Sequence, residues 1–142
     1  MEELRVGDQR VRYDREATAA GYRSFSADRS NDMYHRNFAP QWAEIYPAAF
    51  RELLDQLGVD ASKVGEVYDQ VGPFEQEIRP TGGWFYFVGQ LVEPGERLVQ
   101  DGDFQYWFQP SFPRPPACFG DECGAIEFVA QVRWVLDDSA GY

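Results

Sequence analysis

The run W-F-Y-F-V-G-Q-L-V, residues 84–92, constrains the fold more than any other stretch of the chain. Apolar side chains occupy both parities until Gln90, which suits a central strand covered on both faces for much of its length. Gly82 and Gly83 permit a tight start to it, and Gly89 marks a bulge or a close packing contact. Because the glycine pair opens a strand, no helix N-terminus stands there to hold an anion.

Such a strand needs neighbours, and the second half of the chain supplies them. E-V-Y-D-Q-V, residues 66–71, is bounded by Gly65 and by Gly72-Pro73, and F-E-Q-E-I, residues 74–78, is a second short alternating run. E-P-G-E, residues 93–96, suits a hairpin connection into D-F-Q-Y-W-F-Q, which puts Phe104, Tyr106 and Phe108 on one face and Gln105, Trp107 and Gln109 on the other. The clearest alternation comes last: Ile126, Phe128, Ala130, Val132, Trp134 and Leu136 against Glu127, Val129, Gln131, Arg133 and Val135.

The first half has helical spacing. Asp14 suits the N-cap of a helix with Glu16 in its first turn, where a carboxylate complements the dipole. Phe38, Trp42, Ile45 and Tyr46 share one side of a shorter helix, and Pro47 breaks the chain after it. Phe50, Leu53, Leu54 and Leu57 then recur at i, i+3, i+4 and i+7, and Gly58 suits the C-terminal cap. Helical runs followed by stranded runs predict an α+β fold, with N-terminal helices packed on one face of a four or five-stranded, mainly antiparallel meander. At 142 residues the chain is expected to be a single globular domain, and 44% hydrophobic residues suffice for a core.

Charge bears on partners. With 24 acidic against 13 basic residues the net charge is −11, which repels phosphate backbones and anionic lipid and attracts a basic partner. Neither a secretory signal pattern nor an apolar run of about 20 residues is present, so a cytoplasmic location off the membrane is expected.

The usual catalytic signatures are missing. There is no G-x-x-x-x-G-K, no G-x-G-x-x-G, no G-x-S-x-G and no H-E-x-x-H. His35 is the only histidine, so no site can use two imidazoles. Cys118 and Cys123 lie in P-P-A-C-F-G-D-E-C-G, a loop able to carry two free thiols, a small disulfide ring or two thiolates on one metal.

Several separated segments together resemble a family of small uncharacterised bacterial proteins: H-R-N-F-A-P-Q-W, Y-P-A-A-F-R-E-L-L-D-Q-L-G-V-D, E-V-Y, G-G-W-F-Y-F-V-G and I-E-F-V-A-Q-V-R-W-V-L. In that family a C-x-C-x-x-C-R-N-F segment precedes the helix, and the glycine-rich strand reads Y-G-G-W-F-H-F-V-G. The resemblance covers roughly residues 30–136 and implies a shared fold. Its three cysteines fall on Ser30, Asp32 and His35 here, and the strand histidine falls on Tyr86, so a metal-like cluster has been replaced or dismantled.

Two functional expectations follow. The first is a non-enzymatic protein-binding module, immunity- or antitoxin-like, whose acids and rings such as Tyr86 and Trp107 dock a basic protein partner. The alternative is a metal-binding or redox protein, or a degenerate relative of one, holding zinc or another divalent metal with Asp32, His35, Cys118 and Cys123.

Overall fold

The computed structural model describes residues 1–26, 33–69, 78–110 and 115–136. A hairpin comes first: β1 (Glu2–Val6) and β2 (Gln9–Tyr13) pair antiparallel across Gly7-Asp8. Among the described residues four helices follow, α1 (Arg15–Ser24), α2 (Met33–Phe38), α3 (Trp42–Ile45) and α4 (Ala48–Leu57). The remaining strands are β3 (Glu66–Asp69), β4 (Ile78–Glu93), β5 (Val99–Asp101), β6 (Phe104–Gln109) and β7 (Cys123–Arg133), with a 3-10 turn (Ala117–Phe119) before the last.

The α+β class stands, and the sheet corrects the rest of the expectation. Among the described residues it has seven strands rather than four or five, in the order β1-β2-β4-β7-β6-β5, with β3 also on β4. Nor is it a simple meander. The E-P-G-E turn leads to β5 instead of folding β6 onto β4, and β7 enters between β4 and β6, so β4 to β7 form a Greek key. Residues 70–71 of the E-V-Y-D-Q-V run and 74–77 of F-E-Q-E-I lie outside the described residues.

The sixteen-residue β4 explains the arrangement. One edge pairs with β7 from Ile78 to Val88, while the other meets β3 at residues 81–84 and β2 at residues 89–93. Residues 86–88 fall in the gap between those two partners, and α1 fills it. The Tyr22 hydroxyl donates to the Tyr86 carbonyl (2.6 Å), the Val88 amide donates to Thr18 Oγ1 (2.9 Å), and the Asp14 amide donates to the Val88 carbonyl (2.9 Å). Every buried backbone group there needs a partner, and a helix laid along the edge provides it. Asp14 caps that helix, accepting from the Ala17 amide at 2.9 Å.

The helices therefore do not all lie on one face. α2, α3 and α4 cover the inner face, where Phe85 of β4, Phe104 and Phe108 of β6 and Ile126 and Phe128 of β7 point. Phe50 of α4 sits at the centre, 4.8 Å from the Phe104 ring centroid and 5.8 Å from that of Phe128. Its helix ends as expected at Gly58, whose φ of +86° is in the left-handed region a C-terminal cap uses. Pro47 stands one residue earlier than expected, at the N-cap, with φ −60° and ψ 155°.

Candidate binding face

Strand register assembles the site on the outer face. Trp84 of β4 and Trp107 of β6 both lie opposite Glu127 of β7, so the three side chains form one row with the carboxylate in the middle. At about 4.8 Å per strand, the two indoles flank Glu127 about 10 Å apart. Glu66 extends the row on β3, opposite Trp84. Trp84, Trp107 and Glu127 are each half-buried, with the Trp84 indole nitrogen turned away from solvent.

The next row explains how the carboxylate is held. Tyr68 lies opposite Gly82, and a Cβ on Gly82 would sit inside the Tyr68 ring. Only a glycine leaves the ring room to lie across β4, and the hydroxyl then donates to Glu127 Oε2 on the far side. The other carboxylate oxygen, Oε1, accepts from Gln109 Nε2 at 3.4 Å. The next glycine serves the opposite face, where a Cβ on Gly83 would meet the Phe128 ring at 2.7 Å.

The electrostatics of the row are one-sided. Both donors to Glu127 are neutral groups, and no ion pair reaches it among the described residues; Arg5, Arg10 and Arg15 pair with carboxylates elsewhere. Burial, reinforced by the hydrogen bond to Glu127, pushes the Tyr68 phenol well above its usual range. It stays a donor throughout the physiological range. A carboxylate has room for more donors than two, so Glu127 retains acceptor capacity between two indole side chains. That combination suits a cation, which is attracted by the carboxylate and by an indole within about 6 Å. The chain uses the same contact internally, where the Arg79 guanidinium lies 4.4 Å from the Trp134 ring centroid.

The described residues singled out from sequence do not form one cluster. Trp107 belongs to the row. Tyr86, expected as an exposed anchor, is buried at 9% exposure: its ring lies 6.0 Å from Phe25 and 5.7 Å from Phe119, packed over Gly65. It is a core residue, because α1 and the 3-10 turn close over that part of the sheet. His35 is on α2, which packs beside β3 and clasps the end of β7 through Asn37, whose amide donates to the Arg133 carbonyl at 3.0 Å. Cys118 is an exposed free thiol on the 3-10 turn. Cys123, buried at the start of β7, is also free, and burial pushes its thiol up to about 11.

Asp32 lies outside the described residues, and among those described no three His, Cys, Asp or Glu side chains gather as a metal ligand set. Trp84, Tyr68 and Glu127 were missed from sequence, Trp84 as part of a core run and Glu127 as wet face. The usable signal was parity, which places Trp84 and Glu127 opposite Phe85 and Phe128 once the pairing is known. No family model, curated protein or solved structure matches the chain. No described helix is long and apolar enough to cross a membrane.

Proposed function

We propose that the chain is a non-enzymatic protein-binding module, immunity- or antitoxin-like and cytoplasmic, that docks a basic protein partner on the outer face of its sheet. The observation that carries this reading is Glu127, a half-buried carboxylate held by two neutral donors between two indoles, with no described counter-cation. A lysine or arginine of the partner seats over it, stacked by Trp84 and Trp107. The net charge of −11 speeds encounter with such a partner and disfavours nucleic acid.

The test is recovery of basic proteins from the native cell by the immobilised domain. Recovery is expected at low ionic strength and to fall as salt screens charges beyond about 8 Å. Trp107→Ala and Glu127→Gln should each weaken capture of the same protein more than tenfold, as loss of an interface anchor does. Equal capture by the two variants and the wild type would move the docking surface elsewhere.

A further inference from the structure

A groove opens on the other side of Trp107. Leu91, Pro94, Leu98, Trp107 and Pro110 supply its apolar lining around a cavity of about 330 Å³. Leu98 is 44% exposed there, so its side chain is open to a ligand entering the groove. Three segments of chain meet at this groove, and the turn of the first hairpin ties them together. The buried Gln9 amide donates to the carbonyls of Pro94 (2.8 Å) and Phe108 (3.0 Å), and its oxygen accepts from the Phe108 amide (2.8 Å). Beside it, the Asp8 carboxylate accepts from the Glu96 amide (2.8 Å) and the Arg97 amide (3.4 Å). Gln9 thus bonds to β6 much as another strand would, and the loop of residues 94–98 is fixed against the strand end. A preformed wall costs little ordering on binding.

One indole therefore serves two places: the cation slot over Glu127 and this apolar groove. We infer that the groove receives an aliphatic side chain of the same basic partner, so the recognised unit is an extended segment carrying a cation and, two residues away, an aliphatic residue. The inference rests on the docking reading above. Side chains two apart in an extended segment share a side and lie about 6.6 Å from each other, between the single strand spacing of about 4.8 Å from Glu127 to Trp107 and the two spacings that reach the far side of Trp107, where the groove lies. Charge selects the occupant, since a second copy of this chain would bring another −11 to the face.

The test uses three peptides with the full-length protein: Ac-Leu-Gly-Arg-Gly-Leu-NH2, Ac-Gly-Gly-Arg-Gly-Gly-NH2 and Ac-Leu-Gly-Glu-Gly-Leu-NH2. Titration is followed by NMR at the indole N–H signals of Trp84 and Trp107. The leucine–arginine peptide is expected to bind about tenfold more tightly than the glycine–arginine peptide, as burial of one aliphatic side chain provides. The glutamate peptide should not bind. Leu98→Ser, a change at an exposed position, should erase the leucine advantage while leaving the glycine–arginine affinity unchanged. Equal binding of the two arginine peptides, or a leucine advantage that survives Leu98→Ser, overturns the groove and leaves basic docking standing. If neither arginine peptide shifts either indole, both readings fall.

Discussion

Phe128 and Glu127 are neighbours on β7 and have opposite surroundings. Phe128 is fully buried, its ring 5.4 to 6.0 Å from those of Tyr46, Phe50, Phe85, Phe104 and Phe38. Glu127 is half-buried and also ringed by aromatics, yet these are Trp84, Trp107 and Tyr68, each with a polar atom and each partly exposed. The two faces spend the same kind of residue differently. Inside, rings satisfy one another and exclude everything else; outside, they surround a charge and leave it accessible.

The sharpest way to break this contrast is to truncate one ring on each side. Phe128→Ala should cost about 3 to 5 kcal/mol in urea unfolding, because a buried ring takes its transfer energy with it and leaves a cavity. Trp107→Ala should cost far less stability and instead remove partner binding. Similar losses for both would mean that the outer row is a second core rather than a docking face.

A smaller effect is expected where the faces share a strand. Gly82→Ala drives a methyl into the Tyr68 ring, and overpacking of this kind costs about 1 to 3 kcal/mol. Adding Tyr68→Ala should recover part of that loss, since the clash requires both residues, and a double-mutant cycle measures the coupling. Additive losses would show that the ring does not lie on Gly82.

How much of this was legible in the sequence follows from how local each feature is. Helix α4 was readable in its face and its end, because Phe50, Leu53, Leu54, Leu57 and Gly58 state both within a dozen residues, while its start was placed one residue too early. Strands β6 and β7 announced themselves by alternation. The first hairpin was passed over although Leu4-Arg5-Val6 and Val11-Arg12-Tyr13 alternate on either side of Gly7-Asp8, because each strand is only five residues long. The entry of β7 between β4 and β6 is a long-range pairing that no local pattern encodes. The binding row depends on that pairing, so its members could not be grouped before the register was known. Tyr86 shows the converse failure, since its burial depends on α1 and the 3-10 turn closing over an otherwise outward-facing position.

A polar atom in the middle of the inner face tests its exclusivity. Tyr46 is 3% exposed among the rings of Phe38, Trp42, Phe50, Phe85, Phe104 and Phe128, and its hydroxyl has no hydrogen-bond partner among the described residues. An unpartnered buried hydroxyl has lost water and gained nothing, so Tyr46→Phe should stabilise the fold by about 1 kcal/mol, or about 3 °C in Tm. The pH dependence has a definite sign. Burial alone raises the Tyr46 phenol well above its usual range, so its contribution to stability is complete below the unfolded value near 10 and is lost as pH rises beyond it. The phenylalanine variant should therefore gain further on the wild type above about pH 10, with Tyr22, Tyr68, Tyr106 and Cys123, all raised as well, supplying alkaline sensitivity that remains. A variant less stable than the wild type at neutral pH would mean that the hydroxyl has a partner and that the inner face, like the outer, was built around a polar group.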